Sequence, residues 1–230
     1  MKSRILSTCF SLDKKLGFQP DGIYTGFLSS EKQVDKILDF INSFETENTL
    51  VLVDPVMGDG GRTYSLFTDA LACKMKKLVT VADVITPNLT ECCILCDVDY
   101  CEFIKNADKP DFMDKIAELG KSLLKRYGVK IVIITGIEHK DIDGTMYVQN
   151  LIASKDEVFS VSCKKIGGSY SGTGDLFASV MFSGLLRGDT LRDTVSLAVK
   201  FIETSLRDTV ALGIDRNEGI EFEKHLKILL

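Results

Sequence analysis

Apolar and polar residues alternate along the chain with two periods, one typical of helices and one of buried strands. Over 31–44, apolar side chains from Val34 to Phe44 recur every three or four positions, which predicts an amphipathic helix. Leu50–Val53 is a short β-prone run that stops at Asp54-Pro55, as expected of a parallel strand covered on both faces. The same alternation recurs downstream, with predicted helices over 66–78, 88–96 and 111–127, a strand ending at 84–85 and a strand over 129–134.

Helices and strands that follow each other in this way predict a parallel sheet with helices on both faces. The chain contains no linker, internal repeat or low-complexity tract that would divide it. We therefore predict one α/β domain over 1–230, a three-layer α/β/α sandwich with a mostly parallel sheet. The remaining segments predict a more polar hairpin over 144–150 and 157–163 and further helices over 173–186, 190–206 and 219–229.

The composition is that of an ordinary folded domain. Of 230 residues, 45% are hydrophobic, and 28 Lys+Arg against 33 Asp+Glu give a net charge of −5. Because the basic residues form no run, we expect small molecules or proteins as partners and no nucleic acid. No stretch approaches the roughly 18 consecutive apolar residues of a membrane helix, and the opening MKSRILSTCFSLDKKLGF does not match a secretory signal. A cytoplasmic protein without a membrane partner is expected.

The seven cysteines are an odd number, and four of them crowd together between positions 92 and 101. This pattern matches a disulfide framework poorly and is typical of reduced thiols. Cys93-x-x-Cys96 allows a zinc hypothesis, but no second Cys/His pair stands at finger spacing, and His139 and His225 lie far off in sequence. Cysteines on a buried helix face are the commoner case.

Polar residues follow three of the predicted strands. In an open parallel sheet, ligands bind beyond the carboxyl ends of the strands, where loops and helix N-termini converge. A single polar residue at such a place is more often a turn or a helix cap, and Asn88-x-x-Glu91 also matches a capping box. The residues in question are Asp54 after the first strand, Thr86-Pro87-Asn88 after the second and Thr135-Gly136 after the third.

The sharpest local signal is a glycine-rich turn, Gly172-Thr173-Gly174-Asp175, that leads directly into an apolar helix. Its backbone N–H groups and the positive end of the helix dipole suit the negative charge of a phosphate in transfer. The turn is not a dinucleotide fingerprint, because Phe177 takes the place of the third glycine, and the chain has no G-x-x-x-x-G-K-[ST] loop. Asp175 on its own is equally well explained as a first-turn carboxylate favoured by the dipole.

A third feature is the loop over 54–64, which holds two carboxylates, Asp54 and Asp59, and three glycines. Hard oxygen ligands at a strand end suit Mg²⁺, which takes one or two carboxylates together with waters and substrate phosphates. The alternative is a glycine-rich surface turn with solvated acids. Taken without the other motifs, the loop favours the surface turn.

Four motifs in order along the chain resemble the pyridoxal/pyridoxamine kinases of the ribokinase-like superfamily, and the resemblance runs from about Gly22 to the C-terminus. It implies a ribokinase-like fold and a homodimer, and 21–30 (DGIYTGFLSS) resembles the loop after an early strand of that family. The motifs are Asp54-Pro55-Val56-Met57-Gly58-Asp59, Thr86-Pro87-Asn88-x-x-Glu91, Ile134-Thr135-Gly136 and Gly172-Thr173-Gly174-Asp175.

The resemblance implies ATP-dependent phosphorylation of the 5'-hydroxymethyl group of a B6 vitamer, that is pyridoxal, pyridoxamine or pyridoxine. ATP and Mg²⁺ are implied, and a monovalent cation is left open. Asp175 would accept the proton of the substrate hydroxyl, and the N–H groups of Gly172, Thr173 and Gly174 would form an anion hole.

The same resemblance implies roles for the residues at the strand ends. Gly58, with the other glycines of its loop, would let that loop fold over ATP. The metal ions would lie near Asp54, Asp59 and Glu91, and the nucleotide near Asp54, Thr86, Asn88, Thr135 and Gly136.

The chain departs from the family at its N-terminus. Members of the family begin with a strand and further segments that supply much of the pyridine pocket, whereas here only 20 residues precede Asp21 and 1–18 does not predict such a strand. We therefore expect a single domain that is short at its N-terminus relative to the family, either as a fragment or as a shortened homologue. The nucleotide half of the site is expected to be present, and the substrate half is the open question.

Three other functions are left open. A hydroxymethylpyrimidine (phosphate) kinase of thiamine synthesis would share the fold and the GTGD turn, but those kinases usually lack the Gly58-Asp59 that follows Met57 here. A truncated, non-catalytic nucleotide-binding remnant would keep the GTGD turn without a vitamer pocket. A zinc or redox module would depend on the cysteines alone.

Overall fold

Eight strands and seven α-helices make up residues 17–230, the part of the chain that the computed structural model describes. A 3₁₀ helix follows over Glu223–Leu229. The helices are α1 (Glu31–Phe44), α2 (Asp69–Val79), α3 (Leu89–Cys96), α4 (Tyr100–Ile104), α5 (Phe112–Tyr127), α6 (Thr173–Arg187) and α7 (Leu191–Ala211). The strands are β1 (Gly22–Thr25), β2 (Leu50–Val53), β3 (Gly58–Asp59), β4 (Arg62–Thr63), β5 (Val84–Ile85), β6 (Ile131–Lys140), β7 (Met146–Ser154) and β8 (Val158–Lys164).

Six of the strands form one mixed sheet in the order β1-β2-β5-β6-β7-β8. The pairs from β1 to β6 are parallel, and β7 and β8 add antiparallel pairs at one edge. The parallel order brings the carboxyl ends of β1, β2 and β5 side by side. Strands β3 and β4 form a separate antiparallel hairpin after β2.

Helices cover both faces of the sheet, so the three-layer α/β/α prediction is confirmed. On one face, α1, α2, α3 and α5 bury a core that includes Ile41, Met75 and Ile116. On the other face, α6 and α7 bury a second core that includes Met181 and Phe201. Adjacent residues of β2, Leu52 and Val53, belong to the two different cores, as the alternating geometry of a strand requires.

Several predicted boundaries were wrong. Strand β6 does not end at Ile134 but continues to Lys140 through a register shift between Ile134 and Ile137, because pairing with β7 extends it. Strand β7 extends to Ser154, because its second half is buried, and α7 extends to Ala211. Helix α2 begins at Asp69 and not at 66, because the Thr68 hydroxyl caps it by accepting the N–H of Leu71.

Other elements differ in kind from the prediction. Gly22–Thr25 is an edge strand and not a loop, since it pairs with β2 along its whole length. The segment predicted as a helix over 219–229 is a 3₁₀ helix from Glu223. Helix α4 and the β3–β4 hairpin were not predicted, because both are too short to show a period. Within residues 17–230, no helix is both long and apolar enough to cross a bilayer.

Candidate active site

Asp54 and Thr86 lie side by side where the parallel strands β2 and β5 end. The Thr86 hydroxyl donates to Asp54 Oδ1 over 3.1 Å, and both residues are buried. Burial raises the pKa of Asp54 to about 7, the hydrogen bond from Thr86 opposes this rise, and the charge of Asp175 adds to it. The sequence prediction that Asp54 and Thr86 share one edge is therefore confirmed, and Asp175 is close enough to act on Asp54.

The Gly172–Asp175 turn forms the N-terminus of α6. Gly172 is the N-cap residue with φ of +82°, a left-handed conformation that suits glycine, and no side chain caps the helix. The first intrahelical bond runs from the Leu176 N–H to the Gly172 carbonyl, so the preceding N–H groups have no partner within the helix. The helix end can therefore receive an anion, as its sequence predicts.

Asp175 is exposed in the first turn of α6, and Tyr24 Oη on β1 lies 3.4 Å from its Oδ1. A cavity of about 420 Å³ opens beside this carboxylate. The cavity is rimmed by the acidic residues Glu218, Glu221 and Glu223, with Ile220 and Phe222 among its apolar lining.

Asn88 and Glu91 form the capping box of α3 and also bind the loop after β2. Asn88 Oδ1 accepts the Glu91 N–H at 3.0 Å, and Glu91 Oε2 accepts the Asn88 N–H at 2.8 Å. Glu91 Oε1 accepts the Met57 N–H at 2.9 Å, and Asn88 Nδ2 donates to the Gly58 carbonyl at 2.7 Å. From the sequence, Asn88 and Glu91 could either cap a helix or belong to a ligand site. The structure shows that they form the capping box.

Glu91 is 3% exposed, and its carboxylate lies among backbone N–H groups. Burial raises its pKa to about 8 and the charge of Asp54 raises it further, while hydrogen bonds from backbone N–H groups act in the opposite direction. Both carboxylate oxygens accept hydrogen bonds from the backbone, so only part of the roughly four lone-pair sites of Glu91 is left for a metal ion or its waters.

The glycine-rich loop is a fixed hairpin attached to α3. Gly58 is buried in β3 opposite Thr63, where an added Cβ would lie 2.3 Å from the Arg62 carbonyl oxygen. The Gly61 N–H donates to the Thr90 hydroxyl at 2.9 Å. The hairpin and its attachment to α3 were not predicted from the glycine content, and Thr90 is a residue that sequence reasoning missed.

Thr135 and Gly136 lie beside Asn88 at the same edge of the sheet. Thr135 forms a parallel bridge with Asn88, and its N–H donates to the Pro87 carbonyl at 2.9 Å. Gly136 has φ of +70°, and its N–H donates to Oδ1 of the buried Asn150 at 3.3 Å. Asn150 could not be found from sequence, since β7 reaches Gly136 only through the antiparallel pairing with β6.

The predicted metal residues do not form a closed cluster. Asp59 is exposed on the hairpin and accepts the N–H of Gly60 at 2.8 Å, while Asp54 and Glu91 are buried. Over residues 17–230, no three His, Cys, Asp or Glu side chains are grouped as a metal site, so Cys93 and Cys96 have no third ligand of these types in that part of the chain. Burial raises the pKa of both thiols to about 11, as expected of inert cysteines.

Comparison with known proteins gives a consistent group of relatives. A family model described as phosphomethylpyrimidine kinase matches residues 13–219. A Schizosaccharomyces pombe protein provisionally named a pyridoxal kinase is 29% identical over 171 residues, which cover 73% of this chain and 47% of that protein. A hydroxymethylpyrimidine/phosphomethylpyrimidine kinase of Haemophilus influenzae is 26% identical over 200 residues, 86% of this chain and 70% of that protein.

A solved structure extends the similarity to nearly the whole chain. The Bacteroides thetaiotaomicron protein, provisionally assigned as a phosphomethylpyrimidine kinase and crystallised with pyridoxal, is 35% identical with a TM-score of 0.86. The match covers 97% of this chain and 75% of that one. The chain thus spans about half the length of its fission yeast relative and three quarters of the bacterial structure.

Proposed function

The chain belongs to the phosphomethylpyrimidine kinase family, and on that premise we propose that it transfers a phosphoryl group from ATP to the 5'-hydroxymethyl group of a B6 vitamer. The observation that carries the proposal is the position of Asp175. Its carboxylate stands at an uncapped helix N-terminus, next to a cavity and within electrostatic reach of Asp54. Phosphoryl transfer requires positioning and charge neutralisation, which these groups can supply.

In the proposed reaction, Asp175 accepts the proton of the substrate hydroxyl as its oxygen attacks the phosphorus. The N–H groups of Gly172, Thr173 and Gly174 point toward the negative charge on the transferring group, which the dipole of α6 also stabilises. The acceptor oxygen gains a bond to phosphorus, the bond from phosphorus to the leaving oxygen breaks, and ADP departs. A solvent-accessible carboxylate suits this role, because the substrate must reach it.

The carboxylates at the strand ends suit Mg²⁺, which proteins usually hold with one or two carboxylates while phosphates and waters supply the other ligands. Asp54 is the best placed donor, because Glu91 is already bound to backbone N–H groups and Asp59 lies out on the hairpin. When bound, the ion would neutralise charge on the phosphates. We propose that Thr86 and Asn88 act by holding Asp54 and the hairpin, and that Thr135 and Gly136 lie beside the nucleotide.

Three observations favour a B6 vitamer as the acceptor. The Bacteroides relative, at 35% identity, was crystallised with pyridoxal, and the fission yeast relative carries a pyridoxal kinase name. The Gly58-Asp59 sequence after Met57 also resembles the B6 kinases. Phosphorylation of hydroxymethylpyrimidine or its phosphate is the second candidate, favoured by the family model and by the Haemophilus relative.

A coupled ADP-release assay with pyridoxal, pyridoxamine, pyridoxine and hydroxymethylpyrimidine, each with ATP and Mg²⁺ in potassium and in sodium buffer, tests the proposal. We expect kcat/KM for a B6 vitamer to exceed that for the pyrimidine by at least about tenfold, equal to a difference of 1.4 kcal/mol. A preference for the pyrimidine would move the function to the second candidate.

Thermal unfolding with and without ATP-Mg separates a kinase from a remnant. Binding to the folded state alone stabilises it by about 2.7 kcal/mol at a hundredfold excess of ligand over Kd. Stabilisation without turnover on any acceptor would indicate a nucleotide-binding remnant. Neither stabilisation nor turnover would overturn the nucleotide site as well as the kinase function.

A further inference from the structure

Tyr24 connects the edge strand β1 to the candidate catalytic carboxylate. Its Oη lies 3.4 Å from Asp175 Oδ1, although the two residues are 151 positions apart in sequence. Its neighbours Ile23 and Thr25 are buried, and the Tyr24 ring turns to the other face of the sheet. There the ring packs against Phe182 of α6, with centroids 6.2 Å apart and planes inclined by 42°. The tyrosine ring thus packs on the same helix that carries Asp175.

The phenol can act only as a donor toward an ionised carboxylate. Burial raises the pKa of Tyr24 well above its ordinary value, and the charges of Asp54 and Asp175 raise it further, so the hydroxyl keeps its proton at neutral pH. Within residues 17–230, no other side chain donates a hydrogen bond to the Asp175 carboxylate. A contact of 3.4 Å is long for this bond, as is common for catalytic hydrogen bonds before substrate is present.

We propose that Tyr24 is a positioning residue for Asp175: its hydroxyl occupies Oδ1 and leaves Oδ2 directed at the substrate hydroxyl. This inference rests on the proposed function for its catalytic consequence, while the hydrogen bond itself does not. Gly26 lies next to this hydrogen bond, because a Cβ added there would be at ordinary contact distance from both Tyr24 Oη and Asp175 Oδ1. Since glycine has no side chain, this side of the two oxygens is not covered.

A donor on one oxygen restricts rotation of the carboxylate, so that the other oxygen is held for the reaction. Other acids share this environment, namely Asp54 at the end of β2 and the cavity residues Glu218, Glu221 and Glu223. The charges of these acids act equally in the wild type and in a variant of Tyr24. A difference in kcat between the two proteins therefore reports on Tyr24 itself.

Tyr24→Phe removes the hydroxyl and keeps the ring on Phe182. In the assay that establishes turnover, we expect kcat to fall on the order of tenfold with KM for ATP unchanged, as loss of one charge-assisted hydrogen bond implies. The matched control is Tyr127→Phe, which deletes a phenol that donates to the Leu95 carbonyl at 2.8 Å, outside the site. An unchanged kcat in Tyr24→Phe, with wild type active, would overturn the proposal and leave the kinase function standing.

A second measurement tests the contact without turnover. In protein labelled with ¹³Cζ-tyrosine, the Tyr24 resonance is identified by its absence from Tyr24→Phe. We expect this resonance to shift as pH is lowered, and we expect Asp175→Asn to remove the part of the shift that Asp54→Asn leaves in place. A Tyr24 signal that does not respond to Asp175→Asn would overturn the proposal. If wild type shows no turnover, the proposed function fails and this titration alone decides the contact.

Discussion

The Thr86 hydroxyl donates a hydrogen bond to Asp54 Oδ1 at the ends of two adjacent parallel strands. Asp54 is therefore both buried and hydrogen-bonded to another side chain of the protein. A buried carboxylate without a cation nearby is costly to ionise, which is why the pKa of Asp54 rises to about 7. The carboxylate is therefore poised for a cation or for a proton.

The charge of Asp54 makes the ligand-free protein less stable at higher pH. Its pKa is 3.8 ordinarily and about 7 when folded, so between these values the folded state binds more protons than the unfolded state. The stability contributed by the protonated group is complete below about pH 4 and is lost as pH rises through 7. Asp54→Asn should remove this dependence and be more stable than wild type near pH 8, by on the order of 1–4 kcal/mol.

Urea unfolding at several pH values measures this effect, with the exposed Asp156→Asn as the control. Glu91 shifts in the same direction, so wild type and Asp54→Asn must be compared at each pH. Parallel stability curves for wild type and Asp54→Asn would contradict the prediction.

Asp175→Asn should abolish phosphoryl transfer and leave ATP affinity nearly unchanged. Asn keeps the size and can accept a hydrogen bond, but it is a far weaker base, and a positioned general base contributes about 10² to 10⁴-fold in rate. If Asp175 served only the helix dipole, the change would instead cost about 0.3–1 kcal/mol of stability and leave kcat intact.

Measuring kcat, ATP Kd and Tm on the same preparations separates the two roles of Asp175. Asp193→Asn, in the first turn of α7, is the matched control for the dipole effect. Retained turnover in Asp175→Asn would remove this residue from the catalytic assignment.

At about pH 4, Glu91→Gln should destabilise the fold, because Glu91 is then uncharged in the folded protein and the substitution removes no buried charge. The Glu91 carboxyl accepts the N–H groups of Met57 and Asn88 with different oxygens, and Gln offers only one oxygen. One N–H would then face the Gln amide nitrogen, which costs about 1–3 kcal/mol. Chemical denaturation at this pH tests the prediction against Glu118→Gln, an exposed partner of Lys121 that should change stability little. A neutral result for Glu91→Gln would mean that the hairpin does not depend on this carboxylate.

Gly58→Ala should disrupt the β3–β4 hairpin. The added Cβ would lie 2.3 Å from the backbone oxygen of Arg62, which can move only if the hairpin opens. We expect a loss of about 1–3 kcal/mol in stability. Gly168→Ala is the control, because a Cβ there meets nothing within 4 Å. Equal Tm values for the two variants would show that the hairpin adjusts freely.

The sequence by itself determined the alternation of elements and the order of the candidate motifs. Helices with one apolar stripe and short apolar strands can be buried only as layers, so the periodicity of 31–44 and the run over Leu50–Val53 were enough for the α/β/α fold. The sequence also placed the GTGD turn at the N-terminus of a helix, which the structure shows, and its role toward an anion stays a prediction.

Only the tertiary structure decided which side chains are engaged and with what. Tyr24 meets Asp175 because the sheet order places β1 beneath α6, and no local pattern encodes that contact. Burial and the nearby charge of Asp175, which both depend on the whole fold, set the pKa of Asp54. The fold also brings Glu91 to the Met57 N–H, so that its carboxylate holds the loop after β2 by a hydrogen bond. Local propensity specifies a residue's neighbours within about a turn of helix, whereas the side-chain contacts of this site join residues 30 to 151 positions apart.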